Sequence, residues 1–178
     1  MNKTGWLLVS VGLLLAACGT DELAGKERPL YNGPVLEVTN METLYSDSAR
    51  VRVRMTAPRE LDMENGDRQF PDGVHIDFYG ENGSKETTLT SNKGFYTKAE
   101  NRYTVTGNVV IRNLKKEETL NTEVLNWNPG TKKIFTDTFV TIETPKEVLK
   151  GTGLEAQQDF SSYRINNPTG KFATPGKQ

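Results

Sequence analysis

Tyr103-Thr104-Val105-Thr106-Gly107-Asn108-Val109-Val110-Ile111-Arg112 decides the fold of this chain. Tyr103, Val105, Gly107, Val109 and Ile111 share one parity, while Thr104, Thr106, Asn108 and Arg112 fill the other. Successive side chains of an extended strand point to opposite faces, so the alternation marks a half-buried antiparallel strand. The same period recurs on both sides of it. In Arg50-Val51-Arg52-Val53-Arg54-Met55, three apolar side chains take one face and three guanidiniums the other. Val74, Ile76 and Phe78 alternate with His75, Asp77 and Tyr79; Ile134, Thr136, Thr138, Val140 and Ile142 repeat the theme less cleanly. Asn65-Gly66, Asp72-Gly73, Asn82-Gly83 and Pro129-Gly130 supply the tight-turn backbone between runs. Residues 114–125 contain Lys115-Lys116-Glu117-Glu118, whose charges suit i,i+3 pairs on a helix. Their apolar positions fit a helical period poorly, and Asn121 and Thr122 are weak helix formers. The stretch reads as a charged hairpin tip followed by a strand, and the chain as all β.

A longer period overlies the short one. Leu89 is echoed by Leu120 and then Leu149, and Gly107-x-Val109-x-Ile111 by Val140-x-Ile142, at offsets of 29 to 31 residues. Phe95 and Tyr96, then Trp127, then Phe160 follow at corresponding places. A repeat of about 30 residues that yields two or three short strands predicts stacked antiparallel hairpins rather than a closed sandwich. Such an array leaves an edge strand at each end, and an edge that is not blunted is a template for a partner strand. Phe78, Phe95, Trp127, Phe135 and Phe139 are the large apolar residues expected in the core.

The N-terminus carries a different message. Asn2 and Lys3 precede an apolar run over residues 6–17, which ends in Leu15-Ala16-Ala17-Cys18. Cys18 is the only cysteine. Twelve residues fall short of the roughly 20 that cross a bilayer as a helix. The expectation is a cleaved lipoprotein signal peptide over 1–17, with Cys18 lipidated; an uncleaved short anchor is the alternative. Removing 17 residues from 178 leaves 161, enough for one domain with its own core. Residues 18–34 read as a polar tether, 35–172 as the folded domain and 173–178 as a tail. With Lys3 gone, 21 basic residues face 23 acidic ones, interspersed and without a basic block. Nucleic acid is therefore not an expected partner.

The order of motifs resembles a known family. Phe70-Pro71-Asp72-Gly73-Val74-His75-Ile76-Asp77-Phe78-Tyr79, then Gly107-Asn108-Val109-Val110, is similar to LptC, the periplasmic component of the lipopolysaccharide export ABC transporter. Leu120-Asn121-Thr122-Glu123, Ile134-Phe135-Thr136-Asp137 and Gly151-Thr152-Gly153-Leu154-Glu155-Ala156 continue the likeness, which runs from about residue 44 to 172. The related LptA and OstA proteins share these repeats. The resemblance implies a twisted, boat-shaped β-jellyroll, open along a V-shaped groove in which lipid acyl chains ride. It also implies neighbours joined head to tail through edge strands: the inner-membrane transporter on one side, an LptA-like bridge on the other. LptC proteins commonly keep a transmembrane helix, which a lipid on Cys18 would replace here. Gly19 after that cysteine is compatible with outer-membrane sorting, but the role implied by the resemblance requires the inner membrane.

On this reading Tyr103, Val105, Val109 and Ile111, with Val140 and Ile142 one repeat later, are the candidate groove residues. Tyr163, Ile165 and Phe172 are the candidate partner edge, where Pro168 should mark the end of a ladder. Arg50, Arg52 and Arg54 read as a solvated outer face. An enzyme is not expected. His75 alternates outward, the acidic run Asp62, Glu64, Asp67 and Asp72 lacks calcium-loop spacing, and Gly151-Thr152-Gly153 lacks the rest of a phosphate loop. No metal or cofactor is expected. The rival to a lipid carrier is a structural envelope lipoprotein without a ligand groove, and an LptA-like bridge segment is the nearer alternative.

Overall fold

The computed structural model describes residues 31–169, in which eleven antiparallel strands form one sheet. They are β1 (Leu36–Asp47), β2 (Arg50–Asp62), β3 (Arg68–Phe70), β4 (Val74–Tyr79), β5 (Lys85–Ser91), β6 (Lys93–Thr97), β7 (Arg102–Asn113), β8 (Glu118–Asn128), β9 (Lys133–Glu143), β10 (Val148–Gln157) and β11 (Tyr163–Thr169). Lys98–Glu100 makes a single 3-10 turn. Cys18, the apolar run before it and Phe172 lie outside the described residues. The charged tip and strand read at 114–125 are the β7–β8 turn and β8.

Two long strands share their partners. One edge of β2 pairs with β1, while its other edge meets β4 at residues 53–56 and β3 at 61–62. One edge of β7 meets β6 at 102–106 and β5 at 110–113, and its other edge pairs with β8. The sheet thus divides into two walls, β4–β5 in one and β3–β6 in the other, and the longer strands bend from wall to wall. The bends coincide with ladder irregularities and left-handed backbone: Asn40 (φ 53), Gly73 (φ 95), Gly107 (φ 74), Asn108 (φ 46) and Gly153 (φ 80). Bulges of this kind increase local twist and redirect a strand. Gly73 has a second reason to be glycine, since a Cβ there would sit 2.7 Å from the Ser91 carbonyl.

Distances across the interior establish that the walls fold onto each other. Phe78 on β4 and Trp127 on β8 are three strand spacings apart, about 14 Å along the sheet. Their ring centroids are 5.8 Å apart. Tyr45 on β1 reaches Tyr103 and Trp127 in the same way. Asp47 at the β1–β2 turn meets Lys132 at the β8–β9 turn, 2.9 Å away, and this hydrogen bond holds the Asp47 carboxyl below its ordinary range. The result is the all-β, open jellyroll expected from the sequence, with a V-shaped section.

Two rows of cross-strand neighbours face each other inside the V. Thr43, Met55, Ile76, Leu89, Ile111, Leu120, Ile142 and Leu149 are consecutive register partners from β1 to β10. Arg68, Tyr96, Tyr103, Trp127, Ile134, Ala156 and Tyr163 form the second row. The first wall is therefore aliphatic and the second largely aromatic. The leucine echo seen in the sequence is this first row, one leucine for each returning strand. Burying such side chains contributes about 1.5–3 kcal/mol each, so the rows, rather than exposed ion pairs, hold the walls together.

Three of the five expected core aromatics are not in the core. Phe95 and Phe139 are exposed on the outer face, and Phe135 is half-buried. Val140 takes the inward place beside Phe139. Gly94 takes it beside Phe95 because Phe70 and Val74 fill the space over the glycine, with atoms 3.1 and 3.0 Å from where a Cβ would stand. The outer face carries its own buried group. Asp77 is 1 % exposed, with His75 Nε2 at 2.8 Å, Lys85 Nζ at 3.0 Å and Arg54 at 3.8 Å. Arg54 of β2 and Lys85 of β5 thus both reach the Asp77 carboxylate on β4 and tie the three strands together, with His75 outward beside it on β4.

Candidate functional site

The candidate site is the interior of the V with the mouth above it. Tyr103, Val105, Val109 and Ile111 of β7, and Val140 and Ile142 of β9, all point inward and are at most 4 % exposed. Tyr103 and Val105 lie in the aromatic wall, while Val109, Ile111, Val140 and Ile142 lie in the aliphatic wall beyond the bend. The site residues are thus brought together from both walls. They pack against one another and against Phe78, Leu120, Leu125, Trp127 and Leu154 in one continuous core. An apolar chain entering this space takes the place of contacts the walls now make with each other.

Trp127 is the hub of the aromatic side. Its ring stacks on Tyr103 at 5.2 Å and meets Tyr45 and Phe78 edge-on at 5.6 and 5.8 Å. Tyr103 also lies 4.6 Å from Tyr96 and shares a hydrogen bond with the Tyr45 hydroxyl. Burial raises the hydroxyl pKa of both Tyr45 and Tyr103, so both stay neutral donors at physiological pH. Past Tyr96 the aromatic row becomes charged. Arg68 stands over the Tyr96 ring, 3.3 Å from Glu60 and 3.7 Å from Asp62. Burial raises the Glu60 pKa, Arg68 opposes that shift, and Asp62 adds to it. The interior is therefore apolar along most of its length and polar at one end.

The bend of the V holds a second polar feature that the parity pattern did not reveal. Thr136 Oγ1 donates to the Val124 carbonyl at 2.6 Å and lies 2.9 Å from Thr138 Oγ1. Thr122 Oγ1 is 2.8 Å from the Thr138 hydroxyl and donates to the Phe139 carbonyl at 2.9 Å. These hydroxyls occupy the ladder gap where β8 and β9 bend, between Thr122↔Val140 and Asn126↔Phe135. A buried hydroxyl without a partner is costly; here each satisfies a carbonyl that the bulge frees.

The mouth lies where the two rims approach. A polar cleft of about 800 Å³ is lined by Asp47, Arg52, Tyr79, Glu86, Lys115 and Lys132, among others. A second cleft of about 350 Å³ descends beside Tyr45, Val53 and Trp127. Arg52, read from the sequence as part of a solvated face, lines both clefts. The candidate edge is β11, paired with β10 on one side only. Tyr163 and Ile165 are half-buried and pack against the core, and burial raises the Tyr163 pKa. Pro168 lies near the end of this edge strand, opposite Gly151.

The site is therefore a packed apolar interior between two walls, bordered by a polar mouth. A comparison with curated protein sequences found no match. The family model described as lipopolysaccharide-assembly, LptC-related, matches residues 7–167, nearly the whole chain and every strand but the end of β11. The chain belongs to the LptC family, whose members are components of lipopolysaccharide transport at the periplasmic side of the cell envelope.

Proposed function

We propose that this protein is a lipid-anchored carrier that receives lipopolysaccharide from the inner-membrane ABC transporter and passes it to an LptA-like periplasmic bridge. The observation that carries the reading is the pair of inward rows, aliphatic on one wall and aromatic on the other, beneath a charged mouth. Acyl chains lie between the rows, where apolar side chains replace the bilayer as their solvent. Sugars and phosphates stay at the mouth in water. No bond is made or broken in the lipid, and direction comes from ATP hydrolysis by the transporter. Release is built into the same surface. The walls re-form their own contacts when the lipid leaves, so the net affinity is far below the full transfer energy of the chains.

A small photoreactive aliphatic residue tests this at two kinds of position. At Ile111 or Val140, both inward and at most 1 % exposed, it is expected to crosslink lipopolysaccharide in cells. At Thr104 or Arg112, on the other face, it is not. Equal adducts on both faces, or none on the inner face of a folded protein, would refute the carrier reading.

The anchor is tested separately. Cys18→Ala is expected to abolish labelling by a fatty-acid probe and to leave an uncleaved precursor, visible as a heavier band. Undiminished labelling would remove the lipid from Cys18, and the 6–17 segment would then be an anchor in its own right.

A further inference from the structure

Among the described residues, Phe160 is the one buried apolar residue of the core that does not sit on a strand. It lies in the short loop between β10 and β11, is 3 % exposed, and has a left-handed backbone (φ 56) that is rare for a bulky residue. The loop leaves the end of β10 in the aromatic wall and crosses to the opposite rim. On the near side, the Gln158 amide donates to the Lys132 carbonyl at 3.0 Å, and Trp127 Nε1 donates to Gln158 Oε1 at 3.2 Å. On the far side, Thr87 Oγ1 donates to the Asp159 carbonyl at 3.1 Å and Asn113 Nδ2 to the Phe160 carbonyl at 3.4 Å. Lys116 Nζ reaches the Phe160 and Ser161 carbonyls at 3.3 and 2.8 Å. One short loop therefore ties Trp127 and Lys132, at one end of β8, to Asn113 and Lys116, beside its other end. It lies between the polar mouth, to which it contributes Gln158, Asp159 and Ser161, and the dry interior.

We propose that residues 157–162 form a strap that gates the interior. Phe160 occupies space that an acyl segment takes when lipid enters through the mouth, and the entering chain lifts the strap. This rests on the carrier reading above. Every other buried apolar core residue is held by a sheet ladder, so displacing it means breaking strand pairing. Phe160 can leave while the ladders stay intact. The Lys116 bonds run to loop carbonyls at a polar rim, where water replaces them at little net cost; Thr87 and Asn113 are buried beneath the strap and gain water only when it lifts. The left-handed conformation of Phe160 favours release as soon as its burial is no longer needed. The strap also runs directly into the free edge strand. Phe160 and Tyr163 rings are 6.3 Å apart, and Lys116 stands over Tyr163 at 5.9 Å. Lifting the strap thus disturbs the start of β11, which links lipid entry to the candidate partner edge.

Amide hydrogen exchange on the full-length protein reads the strap directly. The amides of Gln157, Gln158 and Phe160 are bonded to the Ser162, Lys132 and Gln157 carbonyls. Adding lipopolysaccharide is expected to accelerate their exchange about tenfold while strands β7–β9 keep their protection. Lys116→Met keeps the aliphatic stem and removes the two far-side bonds that Lys116 makes, leaving those of Thr87 and Asn113. It is expected to raise strap exchange about fivefold without lipid, and lipid uptake by the same factor. Phe160→Ala should accelerate uptake further if it folds, but Lys116→Met carries the test if it does not. Lipid crosslinked at Ile111 or Val140 with strap exchange unchanged or slowed overturns the strap alone. Absence of that crosslink overturns the carrier reading and the strap with it.

Discussion

Replacing Trp127 with alanine is expected to cost about 3–5 kcal/mol, the range for truncating a buried aromatic residue. That is a large share of a domain stability of about 5–15 kcal/mol. Trp127 sits at the upper end of the range because its ring touches groups from both walls: Tyr103 beside it on β7, Tyr45 of β1 and Phe78 of β4. Few other residues could fill the space, since each of those rings is fixed by its own strand. Trp127→Phe keeps a ring and loses the bond to Gln158, so its cost is expected to be about 1–2 kcal/mol. Urea unfolding of both variants against wild type measures the difference, and an unchanged m-value assigns it to stability alone. If Trp127→Ala costs less than about 1 kcal/mol, the aromatic cluster does not join the walls.

On the proposed carrier reading, the same cluster lets the interior be both packed and enterable. Aliphatic and aromatic rows meet through dispersion and burial, which are non-directional. An acyl chain can substitute for such contacts without leaving a polar group unsatisfied. The hydrogen-bonded features, the threonines at the bend and the Glu60–Asp62–Arg68 end, lie at the margins of the apolar strip. They fix the geometry of the walls while the middle remains exchangeable.

The strands, their facing and the β-only architecture were legible in the sequence because period two survives wherever a strand is straight. Tyr103 and Val105 stay in phase with Val109 and Ile111 because the bend takes up two residues, Gly107 and Asn108, between Thr106 and Val109. In β8 the phase breaks: Leu120 and Thr122 face inward on one side of the bend, Leu125 and Trp127 on the other. A pattern search reads such a strand as noise. Phe139 shows a different limit: its size suggested the core, although the parity of β9, unbroken from Ile134 to Ile142, puts Val140 there and Phe139 outside. The strap was invisible for a different reason. Phe160 looked like the aromatic of a third repeat, and the strap's far-side donors Thr87, Asn113 and Lys116 lie 44 to 72 residues from the Asp159 and Phe160 carbonyls they bond. No local spacing records a contact made only because β8 folds over on itself.

Proline substitution along β11 is expected to separate edge docking from folding. In an antiparallel strand, successive backbone N–H groups point alternately to the two sides. At Arg164 and Ile165, one amide therefore faces β10 and the other faces the free edge, whichever phase the ladder has. Proline removes the donor and fixes φ near −65°. The variant that removes the β10-facing amide should lose about 1–3 kcal/mol of stability, the cost of leaving a ladder carbonyl without its donor. The variant that removes the outward amide should stay folded, since edge strands accept proline where the N–H faces solvent. The native strand already carries Pro168 opposite Gly151. If the bridge adds a strand to this edge, the folded variant loses a ladder bond at the centre of the junction. Its bridge binding should fall at least about tenfold, the equivalent of ~1.4 kcal/mol, while binding to the transporter is unchanged. Pull-down of the bridge and of the transporter by each variant, with urea unfolding alongside, gives the three quantities needed. Undiminished bridge binding by a folded variant would place the junction somewhere other than β11.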